Sequence, residues 1–179
     1  MKNRVTLLIG ISGVIILTSC SSPTERVMAH EPRKMSKEAT VQAVNPQGFF
    51  PVLTTDKLVE CRNFYIKHFG FKVAFEADWY IHLISEKGIQ LGFLQPGRSS
   101  QPAFLHNAYP GHGVVYSFEV DNVDQEYEKI KSSKVQILLH VRTEEWGQKH
   151  FMVKDPGGMI IDLVQAVEPT REYKNKYAE

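Results

Sequence analysis

Phe49-Phe50-Pro51-Val52-Leu53-Thr54-Thr55-Asp56-Lys57-Leu58 opens as an apolar strand, stops at an Asp and passes into a helical pattern. Asp56 is placed as the N-cap of that helix, and Leu58, Cys61, Tyr65 and Phe69 fall near one stripe of it. Gly70 closes it. Phe71–Glu76, Trp79–Ser85 and Ile89–Gln95 follow as strands, with Glu86-Lys87-Gly88 as the turn between the last two. Pro96-Gly97-Arg98-Ser99-Ser100-Gln101-Pro102 breaks the pattern, and then the same order returns. Gly113–Val120 is an apolar, β-branched strand, and Asp121 is placed to cap a helix carrying Val123, Tyr127 and Ile130. Strands at Val135–Val141, Lys149–Val153 and Met159–Gln165 complete the second unit, whose last hairpin turns at Asp155-Pro156-Gly157-Gly158. Both halves read strand, Asp, helix, three strands, which marks an internal duplication.

A single βαβββ unit cannot bury both faces of its sheet. Two such units can pair edge to edge into a cup-shaped curled sheet with helices outside, an α+β fold. A plain α+β sandwich without a cup is the competing arrangement.

Three stretches carry a family resemblance. They are Thr55-Asp56-Lys57-Leu58 through Arg62-Asn63-Phe64-Tyr65 and His68-Phe69-Gly70-Phe71, then Phe118-Glu119-Val120-Asp121-Asn122-Val123-Asp124, then Lys154-Asp155-Pro156-Gly157-Gly158 through Asp162. In order and spacing they resemble the vicinal oxygen chelate superfamily of glyoxalase I, extradiol dioxygenases, fosfomycin-resistance enzymes and bleomycin resistance proteins. The resemblance spans Phe49 to Gln165. It implies a concave small-molecule site but no particular reaction, because a shared scaffold hosts different chemistries. It also implies, for many members, one divalent metal held by His, Glu or Gln, His and Glu from four strands, acting as a Lewis acid. Carried onto this chain, the first position falls near Phe49 and the third near Val115, neither with a donor atom. The second falls at Gln90 and the fourth at Asp162. Two oxygen donors are fewer than the about three protein ligands of a catalytic zinc site.

Simple closure of the hairpins pairs Leu83 with Gln90 and Phe151 with Asp162, which turns His82 and His150 to the opposite face. A one-residue slip or a bulge would reverse that. His112 sits in the flexible turn Pro110-Gly111-His112-Gly113, and His106 and His140 have no supporting context. The expectation is a cup without a cofactor, a divalent metal at Gln90 and Asp162 being the alternative.

The same registers gather Trp79, Ile81, Leu83 and Gln90 on one face, with Phe151 and Asp162 on the corresponding face of the second module. Phe49 and Val115 stand apolar at ligand positions, and Trp146, in a loop before a strand, would flap over the rim. This is the composition of a small-molecule pocket, although core packing explains each aromatic equally well. Asp162 in an apolar face needs a partner or a cationic ligand. Three functions follow: a metal-free binding protein, similar to bleomycin resistance proteins, for a hydrophobic or cationic small molecule; a glyoxalase-type metal-dependent lyase or dioxygenase; or a non-catalytic envelope interaction module. Relatives often pair modules between chains, so a homodimer is compatible with the resemblance.

Outside the duplication, Lys2 and Arg4 precede an apolar run from Val5 to Leu17, too short to span a bilayer comfortably, which takes roughly 20 residues. Leu17-Thr18-Ser19-Cys20 resembles a bacterial lipobox, which implies cleavage before Cys20 and its lipidation. An ordinary secretory signal or an uncleaved anchor is the alternative. The expected plan is a signal peptide over 1–19, a lipidated N-terminus and linker over 20–48, the domain over 49–165 and a tail over 166–179. It predicts a lipid-anchored, periplasm-facing protein, and Ser21 after the cysteine favours the outer membrane in a Gram-negative cell. A glutathione-dependent reaction is disfavoured in that compartment.

Of the 179 residues, 42% are apolar and 23% charged, which fits a packed core and excludes a disordered polyelectrolyte. The net charge of +1 argues against nucleic acid as a partner, and removing residues 1–19, with Lys2 and Arg4 but no acid, turns it to −1. Two cysteines are too few for a disulfide scaffold, and Cys61 in a helical stripe reads as a small buried hydrophobe.

Overall fold

The computed structural model describes residues 43–177, and the folded unit begins at Asn45. The expected signal peptide, Cys20 and most of the expected linker lie outside the described residues. Two βαβββ modules follow, as the duplication predicts. The first is β1 (Val52–Thr54), α1 (Leu58–Phe69), β2 (Lys72–Glu76), β3 (Tyr80–Ile84) and β4 (Gln90–Leu94). The second is β5 (Val115–Glu119), α2 (Val123–Lys131), β6 (Gln136–Glu144), β7 (Gln148–Lys154) and β8 (Ile160–Ala166). A short 3-10 turn, Ala103–Leu105, lies between them, and a last helix, α3 (Arg171–Lys174), follows β8. Each module is a four-stranded mixed sheet, ordered β1-β4-β3-β2 and β5-β8-β7-β6, whose first strand runs parallel to its last.

Neither expected aspartate caps its helix. Both helices start two residues beyond it. Asn122, in an extended conformation, caps α2 by accepting from the Gln125 amide at 3.0 Å. At α1 the cap position is Lys57, whose amide donates to Thr55 Oγ1 at 3.1 Å. Asn122 thus does for α2 what Asp121 was expected to do, α1 starts without a side-chain cap, and Asp56 and Asp121 stay exposed.

The hairpins correct a second expectation. Ile84 pairs with Gln90 and Leu83 with Leu91, while Met152 pairs with Asp162 and Phe151 with Leu163. Each register is one residue away from the simple closure. The cause is the turn. Glu86-Lys87-Gly88, Glu145-Trp146-Gly147 and Pro156-Gly157-Gly158 are three-residue turns, and in each the final glycine takes a left-handed φ of 80°, 97° and 91°. Each of those glycines donates its amide three residues back, to Ser85, Glu144 and Asp155. Such a turn fixes the closing pair, and every side chain beyond it follows. Ser85 Oγ and Asp155 Oδ1 further accept from the amides of Ile89 and Met159, at 3.0 and 2.8 Å, so the two modules share even this detail.

The core lies on the helix side of both sheets. Leu58, Cys61, Phe64 and Tyr65 form the buried stripe of α1 and meet Leu53, Ile81, Leu83, Leu91 and Phe93. Tyr65 also reaches the second module, donating to buried Asp155 Oδ2 at 3.1 Å. Phe118 of β5 packs on Phe69, ring centroids 5.4 Å apart. Burial pushes the Cys61 thiol up to about 12, helped by the Asp155 charge, so this thiol is inert packing. After β8 the chain returns along the β6–β7 turn, where the Val167 and Thr170 amides donate to Gly147 and Glu145 oxygens, both at 2.9 Å.

Candidate functional site

With these registers, the face of the first sheet turned away from α1 carries Val52, Thr54, Tyr80, His82, Gln90 and Leu94, with Gly92 at its centre. Gly92 is required there. A Cβ on it would lie 2.5 Å from the Tyr80 hydroxyl and 2.9 Å from Val52 Cγ2, so only a bare backbone lets the phenol lie across β4. Burial raises the Tyr80 pKa, which keeps the phenol a proton donor. Its hydroxyl lies 3.1 Å from His82 Nδ1, and His82 Nε2 lies 2.8 Å from Gln90 Oε1. If the phenol donates to Nδ1, the imidazole proton sits on Nε2 and is donated to the amide oxygen. Phe50 closes the network edge-on, its ring centroid 4.8 Å from that of His82.

Beside this network Val52, Thr54, Trp79, Tyr80, Leu94, Gln101 and Leu105 line an apolar hollow of ≈ 350 Å³. Its wall is built partly by the connection between the modules. The Gln95 amide donates to the Trp79 carbonyl at 2.9 Å, Gln101 N to the Arg98 carbonyl at 3.0 Å, and the 3-10 turn presents Leu105. The Arg98 guanidinium lies 5.4 Å from the centroid of the Trp79 ring.

The second sheet repeats the diagonal contact with a charge in it. His150 Nδ1 lies 2.8 Å from Asp162 Oδ1, as His82 Nε2 does from Gln90 Oε1, and the paired strand positions correspond. His150 Nε2 meets Glu144 Oε1 at 3.3 Å, and Glu144 is also bonded to Arg142. Carboxylates only accept, so both contacts are hydrogen bonds only with a proton on each ring nitrogen. The result is a buried, mutually satisfied chain, and the partner that Asp162 needed is His150.

The profile of the Glyoxalase/Bleomycin resistance protein/Dioxygenase superfamily matches residues 50–163. The chain belongs to this superfamily. Solved structures similar to it include a glyoxalase/bleomycin resistance protein/dioxygenase from Nocardioides, 17% identical, with a TM-score of 0.61 over 72% of this chain and 88% of the other. An integron cassette protein of V. cholerae is 23% identical, with a TM-score of 0.55 over 69% and 98%. A lactoylglutathione lyase from Agrobacterium tumefaciens is 19% identical, with a TM-score of 0.53 over 67% and 94%. At these identities the likeness shows the fold. Among the curated proteins nothing matches.

The superfamily's divalent metal can be tested against the donors present. On the open face β1 offers Val52, preceded by Phe50, and β5 offers Ser117 opposite Asp162. Both nitrogens of His82 and both of His150 are already engaged within the protein. Among the described residues no three His, Cys, Asp or Glu side chains are grouped to hold a metal ion. The residues do not fit the metal.

The expected pocket residues separate. Trp79 lines the hollow, and Gln90 stands on the same sheet face beside His82. Ile81 and Leu83 point the other way and are buried beneath α1, and Phe151 is buried against Tyr127 of α2, ring centroids 5.2 Å apart. Phe49 is 88% exposed ahead of β1, and Val115 is half-exposed on the Asp162 face of β5. Trp146 is the middle of a tight turn and not a loose flap. Its indole donates to Gln148 Oε1 at 2.8 Å, and its carbonyl accepts from Tyr177. His82 and His150, expected on the opposite faces, lie beside Gln90 and Asp162 because each register is shifted by one residue, and Tyr80 and Glu144 join them without having been expected; the three-residue turns were the signal for that register.

Proposed function

We propose that the chain is a lipid-anchored envelope protein whose domain binds a small apolar molecule in the hollow beside Trp79, without the superfamily's metal. The observation that carries this reading is the hollow itself. An apolar concavity at the small end of the ligand-pocket range, with Thr54, Tyr80 and Gln101 as its few polar groups, has the composition that small-molecule sites share. The donor set supports the metal-free part, since each imidazole nitrogen that could have joined Gln90 or Asp162 already has a partner. The lipobox resemblance at Leu17-Thr18-Ser19-Cys20 supports the anchor. Among the described residues no helix is long and apolar enough to cross a membrane.

The test uses the full chain carrying Trp146→Phe, which leaves Trp79 as the sole indole. Titration with 4-phenylbutan-1-ol should change its emission saturably, with and without EDTA. Val52→Phe, which adds a ring to the hollow at a half-exposed position, should abolish the response. No saturable response, or one that disappears with EDTA, overturns the reading.

A further inference from the structure

The ligand's charge can be taken further, resting on the hollow being a binding site. A cationic ligand would need a free carboxylate, and Asp162, the residue expected to supply it, is already held by His150 at 2.8 Å. The charge beside the hollow has the opposite sign. Arg98 lies over the ring of Trp79, and its carbonyl holds the amide of Gln101, and both of these residues line the hollow. Arg62 and Arg142 each pair with a glutamate, whereas Arg98 has no carboxylate partner among the described residues. Its side chain is half-buried. A guanidinium is always charged and matches a carboxylate in two parallel hydrogen bonds. A cation–π contact with the indole face uses none of the guanidinium N–H groups as hydrogen bonds, so they stay available for a carboxylate.

We propose that the hollow selects small apolar acids, with the apolar body against Val52, Leu94 and Leu105 and the carboxylate on Arg98. Loop construction favours such a role. Gly97 takes a left-handed φ of 74° just before Arg98, and the Gln101 amide closes the turn behind it, so the residue is displayed by a formed turn.

Three probes with one body and different heads test this: 4-phenylbutyrate, 4-phenylbutan-1-ol and 4-phenylbutylammonium, each titrated against Trp79 emission in the full chain carrying Trp146→Phe. The acid should bind about tenfold or more tighter than the alcohol, the usual effect of one charge-assisted hydrogen-bonded pair. The ammonium should bind more weakly than the alcohol. Arg98→Met, which keeps a stem over the indole and removes the charge, should bring the acid to the alcohol's level and leave the alcohol unchanged. Equal binding of acid and alcohol, or an equal loss of both in Arg98→Met, overturns the charge selection while leaving the hollow a binding site. Tightest binding of the ammonium overturns it as well. No response to any of the three overturns both the selection and the binding site beneath it.

Discussion

Gly92→Ala is the substitution that most sharply tests the arrangement around the hollow. The new methyl would lie 2.5 Å from the Tyr80 hydroxyl, 3.1 Å from its Cζ and 2.9 Å from Val52 Cγ2, all closer than carbon normally approaches. The phenol has to leave β4, and the 3.1 Å contact with His82 goes with it. Overpacking of this kind costs about 1–3 kcal/mol. For a domain of this size that lowers Tm by roughly 4–12 °C. Tyr80→Phe removes the nearest atom, so Gly92→Ala should cost less in that background, with a coupling of at least ~0.5 kcal/mol. Urea unfolding followed by tryptophan emission measures all four corners of the cycle. A Gly92→Ala chain as stable as the parent, or a cost unchanged by Tyr80→Phe, refutes the placement of Tyr80 across β4.

Other outcomes follow from the same contacts. Asp162→Ala should destabilise the fold by about 1–3 kcal/mol, as expected for leaving the buried Nδ1 of His150 without its acceptor, yet leave binding of 4-phenylbutyrate at Trp79 unchanged; altered binding in a folded variant would place Asp162 in the site after all. Asp155 has its pKa raised above 3.8, chiefly by burial and against hydrogen bonds from Met159, Tyr65, Gly157 and Gly158. The folded chain therefore keeps that proton to higher pH than the unfolded one, and stability falls as pH rises from about 4. The stability difference between wild type and Asp155→Asn should shrink across that window, and a difference that widens would reverse the sign. With its pKa pushed up to about 12, Cys61 should resist a disulfide thiol reagent at pH 8 in native Cys20→Ser protein and react once urea is added. In intact bacterial cells, Cys20→Ala should abolish incorporation of labelled fatty acid; retained label would remove the anchor.

The duplication was legible because its signals are local. Apolar runs, glycine after α1 and the Asp-Pro-Gly-Gly turn each fix a short segment, and their repetition assembled both modules. The site was less legible because it depends on hairpin register, where one residue exchanges the two faces of a sheet. Glu86-Lys87-Gly88 is legible as a turn, but the pairing of the strands depends on its length. Three residues ending in a left-handed glycine close Ser85 on Ile89, which sends His82 to the side of Gln90 and buries Leu83. The same arithmetic in Pro156-Gly157-Gly158 joins His150 to Asp162. The hollow was beyond the sequence for another reason. Gln101 and Leu105 come from the stretch between the modules, whose path is set by long-range contacts such as the Tyr109 amide donating to the Thr54 carbonyl at 2.8 Å.

The proposed metal-free site in the hollow beside Trp79 can be located directly by nuclear magnetic resonance. Amide and indole shifts of the metal-depleted full chain, titrated with 4-phenylbutyrate, should move at Val52, Thr54, Trp79, Leu94, Gln101 and Leu105 and saturate together. Shifts that instead centre on Gln90, Ser117 and Asp162, and develop only when a divalent metal is added, would contradict it.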